Sequence, residues 1–424
     1  MCLNIFNRKK MIEQYFILEP YLFINIIENN VLLYNSANGE RFFFNSPVII
    51  EFLNRNKNNL YVFPFLPEDL KNTEIKDFIS EIKSHAMGFV YTSQITPIQF
   101  SPALKLEDVH KSDNYKINDS FNKIHNSCNN IDTLFLYINH TNESISAVKQ
   151  YLYRRTSEYD ENQKYEEINF EYLKKNISSI VISNRLREVN LLGDHIGEYS
   201  HIDFLIDFFA DHSNDVFINV YIDANYTNRD FKQIEKISHF KHGKITFCIS
   251  RKFENDKLLN LIHLDLAKKM EVICLVEQDD DIYYFESLLT QYQLSYKLIP
   301  IYNGKNLSFF KTNVFIDQKD IDNIFLNQNQ VFRNQTLNFN YYGKMTVLPN
   351  GDVHSNIYTN PLGNIAKDSL VQLINNEIDS TSNSWFCVKQ NLTPCNKCVY
   401  NILCPPVSNY EFILNRFNLC TIKE

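Results

Sequence analysis

Residues 133–138 read TLFLYI, 216–222 VFINVYI, 244–249 KITFCI and 271–276 EVICLV. Each is a short apolar run rich in β-branched and aromatic residues, as expected of a strand buried on both faces. Ile180–Ile182, Glu188–Leu192 and Ser295–Ile301 have the same character, and amphipathic segments such as Phe204–Phe209 and Leu258–Lys268 fall between most of them. Strands alternating with helices predict a parallel sheet. Six main strands over this length fit a partial (β/α)6 barrel better than a closed eight-stranded one. The fold class is therefore α/β, with the barrel over residues 131–336.

On the N-terminal side, residues 13–93 read as a small α+β domain, and 94–130 as a polar linker. Tyr21–Glu28 and Val31–Tyr34 are strand candidates, and Asn38-Gly39 signals a type I′ hairpin into a third strand, Arg41–Phe44. Ser46-Pro47 opens a helix with Ser as N-cap and Pro at the first helical position. Glu74 to His85 places Ile75, Phe78, Ile79 and Ile82 on one helical face, and Phe89–Thr92 returns extended. On the C-terminal side, residues 337–424 change character. Met345–Val347 is a strand, Pro349–Asp352 a turn, Val353 resumes the strand, and Asp368 is placed to cap a short helix carrying Leu370, Leu373 and Ile374.

The 424 residues exceed one ordinary core, and 44% hydrophobic with 14% aromatic residues supply packed domains. A net charge of −8 argues against a nucleic-acid partner. No run approaches the roughly 20 apolar residues of a membrane span, and the opening lacks the apolar stretch of a secretory signal. The expected compartment is the cytoplasm, with no membrane partner. There, clustered cysteines read as metal ligands and not as disulfides.

Five of the nine cysteines crowd the C-terminal end. Cys395-Asn396-Lys397-Cys398 has a two-residue gap that lets both thiolates bend onto one ion, and Cys404 and Cys420 complete an all-sulfur shell. Such a shell accepts zinc or an iron–sulfur cluster. Cys387 is off this spacing and reads as a buried thiol beside Trp385 and Phe386.

These cysteines, with Gly351–Asn356, Pro361–Ile365 and Trp385 before them, resemble the SPASM extension of radical SAM peptide-modifying enzymes. That family holds two auxiliary 4Fe–4S clusters on seven cysteines. Here Asn356 stands where one ligand would be and Ser408 where another would be, and no cysteine precedes Gly351 in the stretch that would supply the leading ligand. The resemblance assigns these gaps to the first auxiliary cluster, and Cys395, Cys398, Cys404 and Cys420 to the second. It implies one 4Fe–4S cluster, with zinc as the alternative.

The family's catalytic Cys-x3-Cys-x2-Cys would fall on Thr141, Ile145 and Val148, after the strand ending at Ile138. Its Gly-Gly-Glu motif, which binds the amino group of S-adenosylmethionine, would map near Leu191–Asp194, where Gly193-Asp194 otherwise reads as a strand-end turn. The expectation is a chain that is not an enzyme and makes no productive use of S-adenosylmethionine. His195, His201, His212, His239 and His242 are expected on loops or the surface without a paired acid. Glu277–Asp281 is expected as a solvated acidic loop.

Three strands followed by helices resemble the PqqD-like, winged-helix recognition element of ribosomal peptide pathways, which adds a precursor's leader as a strand. The resemblance places the receiving edge at Arg41, Phe42, Phe43 and Phe44, with Lys76 and Lys83 on the helix wall. The whole resembles the pseudo-radical-SAM proteins of Bacteroidales peptide-maturation systems. It implies a non-catalytic scaffold that binds a leader and partners a catalytic radical SAM/SPASM protein; the alternative is an iron–sulfur electron-transfer partner.

Overall fold

The computed structural model describes residues 13–55, 61–93, 97–99, 131–140, 146–156, 166–182, 186–212, 216–226, 232, 235–236, 240–251, 269–379 and 384–422. The segment Leu258–Lys268 and most of the expected linker lie outside them. Among the described residues no helix is long and apolar enough to cross a membrane.

The N-terminal part holds two small antiparallel sheets. One is β1 (Glu13–Leu18) flanked by β5 (Val62–Pro64) and β6 (Gly88–Ser93), and the other is the meander β2 (Leu22–Ile27), β3 (Asn30–Asn35), β4 (Arg41–Phe44). The first sheet was not expected as a unit, because its three strands come together from well-separated stretches of the sequence. Between β3 and β4 only Gly39 takes a left-handed φ, so the five-residue connection is not the expected type I′ turn. Helix α1 (Pro47–Asn54) starts as expected, with the Ser46 hydroxyl accepting from Ile49 N, and α2 (Thr73–Ser84) is capped by Asn72. Both helices press onto one core, where Phe16, Phe52 and Phe78 meet in tilted and edge-on contacts at 5.9–6.4 Å.

The large sheet has nine strands. Six run parallel in the order β14 (Tyr296–Pro300), β13 (Met270–Val276), β12 (Gly243–Ile249), β11 (Phe217–Asp223), β10 (Glu188–Leu192), β7 (Thr133–Tyr137). Beyond β7, β15 (Lys344–Val347) adds parallel, and β16 (Asp352–His354) and β17 (Gly363–Asn364) follow antiparallel. The C-terminal hairpin thus continues the sheet from the edge of its first parallel strand. The protein is a mixed α/β chain with a large, mostly parallel sheet.

Ile180–Ile182 is not a strand. It closes helix α4 (Phe170–Ile182), whose Leu173, Ile177 and Ile180 pack on the sheet at helical spacing. Helix α3 is Ala147–Tyr153 and α5 is Ile202–His212. The run Glu277–Asp281 is likewise not a solvated loop. It opens helix α6 (Asp279–Gln291), where buried Asp281 accepts from Glu277 N at 2.9 Å and pairs with Arg251 at 2.9 Å. Helices α7 (Leu307–Asn313), α8 (Gln318–Asn323) and α9 (Gln328–Thr336) follow β14, α10 is Leu370–Asp379, and α11 is Asn409–Ile413. At α10 the expected Asp368 cap is replaced: Ser369 Oγ accepts from Gln372 N, and Asn176 from Leu370 N.

Candidate functional site

The parallel strands present two faces. Leu134, Leu136, Val189, Val220, Phe247 and Val272 meet the helices, while the alternate residues face α3. That second face is layered. Lys244, Glu271 and Lys297 form ion pairs at 2.7 and 2.8 Å at the strands' N-terminal ends. Asn190, Asn219 and Thr246 form a hydrogen-bonded chain in the middle. Tyr137, Leu192, Tyr221 and Cys248 form the layer nearest the C-terminal ends, and Ala147, Val148 and Leu152 of α3 fill the space above them. Val148, the described member of the three positions where iron ligands would fall, is therefore an apolar plug; Thr141 and Ile145 lie outside the described residues.

Asp223, at the end of β11, holds the plug in place. Its Oδ2 accepts from Ala147 N at 2.7 Å, and its Oδ1 from Asn225 N. Burial pushes its carboxyl above the usual range against those two bonds. Ser146 adds an N-cap to Val148 N.

Beside the plug lies a constellation that the spacing of residues did not reveal. The Tyr137 hydroxyl donates to Asp194 Oδ1 at 2.7 Å, and His140 Nδ1 is 2.8 Å from Asp194 Oδ2. His140 Nε2 lies 3.4 Å from Lys149 Nζ. All three members of the central set are buried, and so is His195. His195 lies on a loop as expected but is buried, and His140, which no spacing in the sequence singles out, is a histidine that meets an acid. Gly193 is more than a strand-end turn, since a Cβ there would fall 2.3 Å from Asn139 Oδ1. The positions are 54 residues apart and share no spacing motif; the clue in the sequence was Gly193-Asp194 at a strand's C-terminal end, where α/β proteins place their chemistry. A tyrosine, a histidine and a carboxylate in line can orient an imidazole for proton transfer.

The four C-terminal cysteines stand in one electrostatic neighbourhood. Burial, and then the thiols of Cys420 and Cys398, raise Cys395; burial followed by Cys398 pushes Cys404 up to about 12. All seven described cysteines are free thiols. Among the described residues no three His, Cys, Asp or Glu side chains stand in metal-holding geometry. The four thiols are the soft donor type that a thiolate-bound metal takes, but here they do not stand around a common point. Buried Lys389 sits beside it, paired with Glu411 and donating to Phe417 O at 2.8 Å. Cys387 is half-buried. Ser408, where the resemblance expects a ligand, caps α11 through Tyr410 N and Glu411 instead.

On the N-terminal sheet, β4 pairs with β3 on one side and has no further strand on the other among the described residues. Phe44 meets Phe78 of α2 at 5.0 Å and Phe42 meets His85 at 4.7 Å, while Phe43 is 50% exposed and stacks on Tyr400. Lys76 and Lys83 are exposed on α2. Arg41 is engaged elsewhere, because its guanidinium donates to the carbonyls of Asp322 and Ile324. The opposite face of this sheet is covered by the C-terminal part: Phe23, Leu32 and Tyr34 pack on Val331, Phe332, Val399 and Leu403.

No family model and no curated protein matches the chain. Among the solved structures similar to it are these two. Streptococcus suis SuiB bound to S-adenosylmethionine is 12% identical, with 96% of this chain and 100% of that one covered and a TM-score of 0.34. BtrN in complex with AdoMet and 2-DOIA is 9% identical, with 59% and 84% covered and a TM-score of 0.35. Both are structures with S-adenosylmethionine bound. The expectation that the chain is not an enzyme is withdrawn: it rested on the missing Cys-x3-Cys-x2-Cys alone, and the absence of one motif does not exclude an activity.

Proposed function

We propose that this chain is a radical-SAM-related protein of cytoplasmic ribosomal peptide maturation, of the kind in the Bacteroidales systems, that captures a precursor's leader on β4. In this reading residues 13–93 are a PqqD-like recognition domain, the six parallel strands a partial radical-SAM-like barrel, and the C-terminal part a SPASM-like domain. Its partner is a catalytic radical SAM/SPASM protein. The observation that carries the reading is the open edge of β4, framed by α2 and bearing the half-exposed ring of Phe43. An edge strand offers a row of unpaired N–H and C=O groups, and an incoming strand gains main-chain hydrogen bonds there. Phe43 and the stems of Lys76 and Lys83 would supply side-chain choice.

The test is amide hydrogen exchange on the full chain with a small precursor peptide encoded beside it. Slowed exchange within Arg41–Phe44 is expected, with little change in the six parallel strands. Unchanged exchange in β4 under saturating peptide would sink the reading.

In the same proposal Cys395, Cys398, Cys404 and Cys420 hold one metal centre, a 4Fe–4S cluster or a zinc ion. Metal binding would supply folding energy to loops that have few regular elements of their own. A second reading is favoured by the Tyr137–Asp194–His140 set, which suits acid–base chemistry at the strands' C-terminal ends. Loss of peptide modification in His140→Gln, with leader binding intact, would support it; retained modification would remove it.

A further inference from the structure

A cavity of about 400 Å3 opens between β7, β14, β15 and the C-terminal hairpin and α11. Its size is within the roughly 300–1,000 Å3 of small-molecule sites. Two of its wall residues are Asn356 and Ser408, the positions at which the cysteine pattern breaks. Ser408 is consumed by the cap of α11. Asn356 is not fully used: its Oδ1 accepts from Tyr358 N at 3.0 Å, which fixes the amide, and its buried Nδ2 has no partner. The residue is only 2% exposed.

The charge of the wall is one-sided. Arg154 and Lys344 line the cavity, and no Asp or Glu does. Lys344 has Asp132 and Glu188 near it. Arg154 has no carboxylate partner among the described residues; its guanidinium lies 4.0 Å from the centroid of the Tyr151 ring, and its buried Nη1 is unpaired. Unmet buried donors cost stability unless a ligand satisfies them. Two of the wall hydroxyls are already committed, Tyr410 to Pro300 O at 2.9 Å and Tyr341 to Asn409 Oδ1 at 2.5 Å. Phe135, Leu152, Ile299 and Ile357 supply an apolar remainder.

We propose that this cavity binds an organic carboxylate, with Arg154 Nη1 and Asn356 Nδ2 donating to its oxygens and an apolar or aromatic body seated against Phe135 and Ile299. A carboxylate accepts several donors at once, and charge-assisted bonds to Arg are the stronger kind. Of the two positions at which the cysteine pattern breaks, Asn356 thus offers a donor to an anion while Ser408 does not. The carboxylate can come from a chain terminus or from an acidic side chain, and the two sources present the same chemistry to Arg154.

The experiment is calorimetric titration of the full chain with N-acetylphenylalanine, with its amide, and with the amide of N-acetylglutamate. Binding of either carboxylate with at least tenfold weaker binding of N-acetylphenylalanine amide supports the site, and which acid binds identifies the source. Arg154→Met is expected to weaken binding by about tenfold or more. Asn356→Asp, which puts a like charge on the wall, is expected to abolish it, and both variants should keep the wild-type circular dichroism spectrum. No detectable heat from either acid, or equal binding by N-acetylphenylalanine and its amide, overturns the proposal. So does unchanged affinity in a folded Arg154→Met.

Discussion

The Tyr137 hydroxyl donates to Asp194 across 2.7 Å, joining the end of β7 to the end of β10 beneath the α3 plug. The other Asp194 oxygen meets His140 at 2.8 Å, so one carboxylate ties two neighbouring segments of the strands' C-terminal rim. Tyr137→Phe removes one partner and keeps the shape of the ring. Chemical denaturation should show a loss of about 1–3 kcal/mol, the cost of leaving a buried acceptor unmet. A loss below 0.5 kcal/mol, on the order of an ordinary surface change, would mean that water serves that oxygen as well.

Gly193 stands next to this set, and its requirement is steric. Gly193→Ala would drive a methyl into Asn139 Oδ1, whose amide also donates to His195 O at 2.5 Å. Thermal unfolding should fall in step with about 1–3 kcal/mol of overpacking.

Lys389 and Glu411 form a buried ion pair beside the cysteine loop. Removing one partner strands the other charge, so Lys389→Met should cost about 3–5 kcal/mol. The double variant Lys389→Met with Glu411→Met should recover part of that loss, and a double-mutant cycle in urea measures how much.

Burial holds the hydroxyls of Tyr137, Tyr221 and Tyr341 well above the ordinary tyrosine pKa of 10.0. In the folded chain they stay protonated at a pH where the unfolded chain has ionised. Their contribution to stability is full below the unfolded value and is lost as pH rises from there towards the folded values. Ultraviolet titration should show these buried tyrosines ionising only together with loss of the far-ultraviolet dichroism.

Elemental analysis of anaerobically purified protein addresses the cysteine centre. About four irons per chain, lost in Cys395→Ser, would support a 4Fe–4S cluster and keep an electron-transfer role open. About one zinc would make the centre structural. A metal content unchanged by Cys395→Ser would remove the site.

The parallel strands were legible because their side chains are buried on both faces, leaving continuous runs such as 244–249 and 271–276. Ile180–Ile182 misled for the same reason: three apolar residues in a row suit a strand, yet the helical spacing back to Leu173 and Ile177 was the deciding period. Asp281 was misread because local charge density says nothing of the backbone N–H groups a carboxylate will meet at a helix start. The His140–Asp194 contact had no signature, since it arises only once β7 and β10 lie side by side. Asn356 and Ser408 were legible as breaks in a cysteine pattern, but their sharing of one cavity wall comes from the packing of α11 against the hairpin.

The cover on the outer face of the N-terminal meander has a consequence for how the chain is made. Asn25 donates to Val399 O and Asn401 Oδ1, partners 374 and 376 residues downstream. The inner face of that region can close over Phe16, Phe52 and Phe78 early, from nearby sequence. Phe23, Leu32 and Tyr34 have to wait for Val331 and Phe332 and then for Val399 and Leu403, all far downstream in the chain. Contacts so distant are slow to form, and a greasy sheet face stays bare until those residues have been made. The meander is therefore the segment most in need of a chaperone, and removal of the residues that cover it should send the chain into aggregates through that uncovered face.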